Sequence, residues 1–432
     1  MNSHIVVNAT NLGRYIGGIG VYALNLLKEL PQLDSDHHFI IYINRSCAVH
    51  VNEIPFPDNC ELRWVSSVVS PDHGFMGHLL RLLYSNYLGL KHRSSLVFAA
   101  SQLEAILFRR NQIIMVHDII PLLFRTLHKK QYYYFKYVLS HVLHKTRWII
   151  TPSNHTKELL VQTYGINESK VGVIHNGVRD SLFEKGQGRQ EKSDGNFILF
   201  SGRMVPMKNL VGVLKAFSLI QEKISHRIVI TGHDGGRLLK RISKTSTDGY
   251  SPVTARVEFK GHVSAKEMDD LMNHASVLVF PSFYEGFGLP PLEGMAHGCP
   301  VVVSNVSSLP EVCGDAAEYV DPCNVQSIAE GMYRVLTNSA VRKHLIEKGL
   351  ERSKLFSWKD SARQHLRLFD QAIYSSGPKT QIHRIQSEGF AEIPLSIGAH
   401  RFYRMESGSP QRGISRPPNM DFGLPKAKRI VC

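Results

Sequence analysis

Two glutamates carry the clearest chemistry in this chain. They lie in Pro281–Pro300, PSFYEGFGLPPLEGMAHGCP, where Glu285 and Glu293 stand eight residues apart. Gly286, Phe287, Gly288 and Leu289 follow the first glutamate, and Pro290-Pro291 come next. The apolar run Ser276–Phe280 feeding into this segment reads as a buried strand, and Leu292-Glu293-Gly294-Met295-Ala296 reads as a helix. A strand, a glycine loop and a helix start leave backbone N–H groups converging on one point, which is an anion site. Pro290 and Pro291 suit the first helical turn but have no N–H to offer, so the donors come from the glycine segment. Glu293 is expected in that first turn, with Glu285 on the loop above. A carboxylate beside a phosphate cradle is better suited to accept hydrogen bonds from sugar hydroxyls than to meet the phosphate. The chemistry implied is that of a nucleotide sugar.

Three further constellations sit where strands end. Gly17-Gly18-Ile19-Gly20 follows the first expected strand and precedes a helix expected at Val21–Leu30. It is shorter than a GxGxxG fingerprint, so a tight turn and a phosphate contact both stay open. Gly202-Arg203 is followed five residues on by Lys208-Asn209. Arg as a fork and Lys as a point charge can together neutralise a diphosphate, where solvated surface charges are the bland alternative. His117-Asp118 ends another strand, where the imidazole could touch a sugar hydroxyl, move a proton, or be a structural histidine bonded to backbone. No Gly-x-Ser-x-Gly, Walker loop or metal-ligand cluster occurs, and none of the 22 histidines has ligand spacing. His128–Arg147 and Met76–Arg93 are basic and aromatic at helical spacing, which fits an anionic membrane surface or an ordinary packed helix equally well.

These residues need a scaffold of alternating short apolar runs and helical patterns, which is α/β architecture with mainly parallel sheets. Strands are expected at His4–Asn8, Phe39–Ile43, Leu96–Ala99, Ile113–His117 and Trp148–Thr151, then at Asn196–Ser201, Arg227–Gly232, Val257–Lys260, Val277–Phe280 and Val301–Ser304. Two sheets with a seam near Asn176–Gly195 fit better than one, the seam carrying Gly177, Gly186, Gly188 and Gly195. Ser357–Tyr374 reads as a final amphipathic helix capped by its serine. From Ser375 to Cys432 the chain is rich in Ser, Gly, Pro and Arg without periodicity, and reads as a basic disordered tail.

The bulk numbers agree with this picture. The 432 residues are enough for two or three domains, and the net charge of +14 favours phosphorylated ligands, anionic lipid or nucleic acid without choosing. Six scattered cysteines without a CxxC pair suit a reducing compartment. The N-terminus enters its first strand almost at once and no apolar run reaches the length of a membrane span, so a cytoplasmic enzyme is expected.

Taken together, the residues resemble the GT4 family of retaining glycosyltransferases with a GT-B fold. Glu285-Gly-Phe-Gly-Leu-Pro-Pro-Leu-Glu293 is similar to that family's Glu-x7-Glu motif. Gly17-Gly18, His117-Asp118, Pro152-Ser153, Asn176-Gly177, Gly202-Arg203 with Lys208-Asn209, and Pro310-Glu311-Val-Cys-Gly314-Asp315 occur in the family's order. The likeness covers roughly residues 4–374, with Gly294 and Cys313 standing where alanine is usual. It implies two Rossmann-like doubly wound domains facing across a cleft. Residues 1–178 would form the acceptor-side domain, residues 179–356 the nucleotide-sugar domain, and residues 357–374 a helix packing back on the first.

The resemblance also implies roles. Glu293 would bind the ribose and Glu285 would sit beside the donor sugar. Arg203 and Lys208 would hold the diphosphate with Gly202 nearby. The amides of Phe287, Gly288 and Gly18 would add donors, with Gly17, Gly286 and Leu289 also at the donor, and His117 would touch the transferring sugar. No metal or other cofactor is expected, and retention would follow front-face attack with the leaving phosphate taking the acceptor proton. The segment His117-Asp118-Ile-Ile-Pro121 is most similar to bacterial mannosyltransferases of O-antigen and surface-polysaccharide synthesis. That similarity implies GDP-mannose as donor and a glycan or polyprenyl-linked acceptor. It also allows peripheral contact with the anionic inner face of the plasma membrane, with no nucleic acid. The competing hypotheses are a nucleotide-sugar 2-epimerase of the same fold and a basic module binding membrane or nucleic acid.

Overall fold

The computed structural model describes residues 4–33, 36–180, 182, 195–232 and 256–374. The tail from residue 375, and the seam positions Gly186 and Gly188, lie outside the described residues. The chain forms two compact units. Among the described residues, one holds residues 4–177 together with 357–374, and the other falls within Val178–Phe356.

The first unit is built on a seven-stranded sheet in the order β3-β2-β1-β4-β5-β6-β7. Its strands are β1 His4–Asn8, β2 His38–Asn44, β3 Cys60–Val65, β4 Leu96–Ala99, β5 Gln112–Met115, β6 Trp148–Thr151 and β7 Val171–Val173. All neighbours are parallel. The second unit carries six parallel strands in the order β10-β9-β8-β11-β12-β13. These are β8 Phe197–Ser201, β9 Arg227–Thr231, β10 Val257–Gly261, β11 Val277–Phe280, β12 Val301–Ser304 and β13 Glu318–Val320. The central strands are continuous Val/Ile/Leu/Phe runs buried at every residue, as a parallel sheet covered on both faces requires.

Both sheets are doubly wound, so each reverses its strand order at one place: between β1 and β4 in the first unit, and between β8 and β11 in the second. At such a switch point the connections leave in opposite directions and open a crevice beyond the carboxyl ends of the strands.

Three strands had no counterpart in the sequence pattern: β3, β7 and β13. Each is an edge strand, and β7 and β13 have only three residues, while β3 alternates weakly and is half exposed. Strand β5 stops at Met115, two residues short of expectation, so His117 lies in the loop beyond it.

The helix expected at Val21–Leu30 runs instead over Gly18–Glu29, with Gly17 in extended backbone as its cap. Against it packs the helix Trp358–Tyr374, whose buried face includes Trp358, Ala362, His365, Phe369 and Ala372. The return crossing is close. A Cβ on Gly177 would stand 2.2 Å from the Trp358 nitrogen, so only glycine fits there.

Candidate active site

The second unit gathers its candidate residues at the β8/β11 switch point. Gly202 follows β8 with φ +145°, which L-side chains rarely adopt, and turns the chain into Arg203 and a short 3-10 turn at Pro206–Lys208. Asn209 takes a left-handed conformation and starts the helix Leu210–Ile220. Its side-chain amide donates to the carbonyls of Pro281 (3.2 Å) and Pro322 (2.8 Å), tying the β8 loop to the end of β11. Lys208 is thereby delivered across the switch point. Its Nζ lies 2.5 Å from Glu285 Oε1 and 4.7 Å from the centroid of the Phe280 ring. Arg203 is exposed on the same loop.

The Glu285–Gly288 loop is held from behind by two serines. The Glu285 amide donates to Ser307 Oγ at 3.0 Å, and the Ser308 hydroxyl is shared between the carbonyls of Glu285 (3.0 Å) and Phe287 (2.7 Å). Across a trans peptide the carbonyl and the next N–H point opposite ways. The amides of Gly286 and Gly288 therefore point away from Ser308. The Phe287 side chain is buried in the core against Phe356, so any contribution to a ligand comes from its backbone. Gly288 closes the loop at φ +114°, and Leu289 is half-buried at the start of the helix Leu289–Ala296.

That start places Glu293 fifth in the helix, in its second turn and not its first, because Leu289, Pro290 and Pro291 occupy the first. Burial pushes its carboxyl up to about 7. Neighbouring Asp269 raises it further, and Arg179 pulls it back. Arg179 and Asp269 are ion-paired, and His297 Nε2 stands 3.2 Å from the same Asp269 carboxylate. Arg179, Asp269 and His297 were not singled out from the sequence. Arg179 follows the Asn176-Gly177 pair by two positions, but nothing in the pattern tied it to a helix ninety residues on.

In the first unit, Gly17 caps and Gly18 opens the helix that follows β1, and His117 lies in the loop beyond β5. A Cβ added to Gly17 or Gly18 would meet no atom within 4 Å, and neither glycine has a positive φ. Neither the backbone nor the surrounding protein demands glycine here, which leaves room for close approach by a ligand.

His117 is buried. Its Nε2 lies 2.9 Å from the Ala100 carbonyl, and its amide donates to Gln102 Oε1. A carbonyl only accepts, so Nε2 carries the proton and Nδ1 the lone pair. Burial lowers its pKa to about 4, against the pull of the Ala100 carbonyl. The ring is thus neutral near pH 7 and a weak base, better able to accept a hydrogen bond than to take a proton. Its face is set by Tyr22, edge-on at 4.8 Å, whose hydroxyl meets His365 Nε2 at 2.7 Å.

This architecture, two doubly wound parallel units carrying an ordered cation, glycine loop and carboxylates, is GT-B. The glycosyltransferase family 4 model matches residues 16–182 and the glycosyl transferases group 1 model residues 183–352. The chain belongs to the group 1, family 4 glycosyltransferases.

Among its relatives, the O-antigen chain mannosyltransferase B of Escherichia coli is 34% identical over 178 residues, covering 40% of this chain and 45% of that one. O-antigen chain mannosyltransferase RfbU of Salmonella typhimurium is 28% identical over 75% of this chain and 88% of that one. Among solved structures, sucrose-phosphate synthase of Thermosynechococcus elongatus superposes with a TM-score of 0.67 at 18% identity, covering 87% of this chain and all of the other. WaaG, a glycosyltransferase involved in lipopolysaccharide biosynthesis, gives 0.63 at 15% identity, over 86% and 100%. At these identities the superpositions speak to fold alone.

Proposed function

We propose that this glycosyltransferase moves mannose from GDP-mannose, with retention, onto a glycan or lipid-linked acceptor in surface-polysaccharide synthesis, working on the cytoplasmic side of the membrane. The observation that carries the reading is Lys208 held at the β8/β11 switch point against Glu285, on the loop that leads into Gly286 and Gly288. The relatives' names supply mannose and the O-antigen.

In the proposed reaction the bond between the sugar's C1 and the leaving phosphate oxygen breaks, and a bond from C1 to the acceptor oxygen forms on the same face. The acceptor proton passes to the departing phosphate, and GDP leaves. Arg203 and Lys208 would neutralise the charge growing on the diphosphate, helped by the amides of Gly286 and Gly288, with no obligatory metal. Glu293 would accept hydrogen bonds from the ribose hydroxyls. Within the first unit, Gly17 and Gly18 would leave room for a phosphate, and the Nδ1 lone pair of His117 would accept from a sugar hydroxyl.

A calorimetric panel of GDP-, UDP-, ADP- and dTDP-sugars tests the donor, and acceptor-dependent release of GDP tests transfer. Release that ignores the acceptor returns the epimerase. Loss of turnover in EDTA overturns the metal-free leaving group.

A further inference from the structure

The helix Gly74–Lys91 of the first unit is inside out. Met76, Leu79, Leu83, Tyr87 and Leu90 are all exposed, Leu83 at 60% and Leu90 at 63%. At 100° per residue these five side chains fall within an arc of about 80°, forming a stripe some 20 Å long. The buried positions are Gly77, His78, Arg81, Ser85 and Leu88, with Leu80 and Tyr84 half-buried against the core beside them. An ordinary surface helix does the reverse.

The stripe does not end with the helix. At its amino end Lys130 lies 4.9 Å over the Phe75 ring, and buried His78 packs edge-on against Tyr134 at 5.1 Å. This brings alongside it the helix Lys129–Tyr133 and the π-helical turn Tyr134–Leu139, where Tyr133 and Tyr137 are exposed. At the other end Arg109 donates to the Gly89 carbonyl, and neighbouring Phe108 is 78% exposed beside Lys145.

Cations surround this apolar surface. Lys129, Lys130 and Lys136 are exposed, as are Arg125 and Lys145, and Lys136 sits over the Tyr137 ring at 5.2 Å. From His73 to Lys157 the chain has twelve Lys and Arg but only two acidic residues, Glu104 and Asp118. Glu104 is fully buried on Arg81. A soluble partner would need an apolar groove rimmed with carboxylates. An anionic bilayer offers both features at once over an area of this length, with aromatic rings at the headgroup level and lysines reaching the phosphates.

We propose that this face is a membrane-docking surface. The helix Gly74–Lys91 would lie in the plane of an anionic lipid interface on its Met76–Leu90 stripe, flanked by Lys129, Lys130 and Lys136. It does not cross, since among the described residues no helix is long and apolar enough to span a membrane. The proposal stands on these surface side chains and is independent of the donor and its sugar.

The test is co-sedimentation of the full chain with vesicles of phosphatidylcholine alone or mixed with phosphatidylglycerol, alongside sedimentation equilibrium without lipid. The wild type should bind the anionic vesicles and not the neutral ones. Leu79→Gln/Leu83→Gln should weaken binding by at least roughly tenfold, and each of Lys129→Gln, Lys130→Gln and Lys136→Gln by roughly fivefold. All these side chains are exposed, so an unchanged far-UV circular-dichroism spectrum and melting temperature of the variants serve as the folding control in the same preparations. Equal binding to neutral vesicles, or undiminished binding by the leucine variant, overturns the proposal. So does a concentration-dependent dimer that the leucine variant abolishes while no vesicles are bound.

Discussion

Lys208 and Glu285, seventy-seven residues apart, meet at 2.5 Å over the ring of Phe280. Their strands, β8 and β11, are the neighbours that flank the switch point. Each side chain is largely buried, so the contact is well shielded from salt. A cation held this way is fixed in place with its charge compensated, and under the proposed function a diphosphate would compete with Glu285 for it.

Removing the two partners should therefore have opposite effects on nucleotide binding. Lys208→Ala takes away a charge-assisted bond to phosphate and should weaken GDP binding by about 10- to 100-fold. Glu285→Gln keeps the shape but releases the lysine. GDP should then bind as tightly as before or more tightly, while turnover falls. Calorimetry with GDP and an acceptor assay separate the two, and equal weakening by both variants would show that the pair is only a structural clasp.

If Glu293 binds the ribose as proposed, donor binding should depend on pH. A carboxyl raised to about 7 is partly protonated at neutrality. Ribose hydroxyls donate best to the ionised form, so GDP affinity should rise as pH goes from 6 to 8, then level off. Glu293→Gln should remove this slope. The same group acts on stability with the opposite sign. Between about 4.5 and 7 the folded state holds a proton that the unfolded state has lost, so stability falls as pH rises through that window. Glu293→Gln should accordingly raise the Tm at pH 8 and leave it nearly unchanged at pH 4.

Much of this was legible in the sequence because the physics is local. Strands β4, β6, β11 and β12 fall at their expected bounds, since a buried parallel strand writes itself as an unbroken apolar run. Edge strands β3 and β13 carry no such run. The Lys208 and Glu285 positions were legible from residue type at a strand end, but their contact depends on the β8–β11 pairing, which no spacing encodes. Glu293 was placed one turn early because Leu289, and not Pro290, opens its helix. Arg179, Asp269, Ser307 and Ser308 were invisible for the same reason as the contact: they reach the site through tertiary packing.

Three histidines make the first unit sensitive to mild acid. Burial lowers His78, His117 and His365 each to about 4. Between roughly 6.5 and 4 the unfolded chain takes up protons that the folded chain refuses, so stability is lost as pH falls through that window. Each such group contributes up to about 1.4 kcal/mol per pH unit. Urea midpoints followed by first-unit tryptophan fluorescence should drop steeply from pH 6.5 to 4.5. His365→Gln, which can still bond the Tyr22 hydroxyl, should make that drop shallower by one group. An unchanged slope would place the acid sensitivity elsewhere.

Arg81 shows what the inside-out helix contributes on its buried side. Its guanidinium Nε donates to Glu104 Oε1 at 3.0 Å, and one Nη donates to the Val69 carbonyl at 2.8 Å. Glu104 also accepts from the Ser101 hydroxyl. Ser101 lies between Ala100 and Gln102, the two residues that fix the His117 ring and amide. Arg81→Met leaves a carboxyl buried without its cation and should cost about 3–5 kcal/mol. Arg81→Met/Glu104→Leu removes both charges and should recover most of that loss in a denaturant titration. Ser101 then loses its carboxylate partner, so the double variant should regain stability without regaining full turnover. Recovery of both together would show that the pair holds the core and does not position the His117 loop.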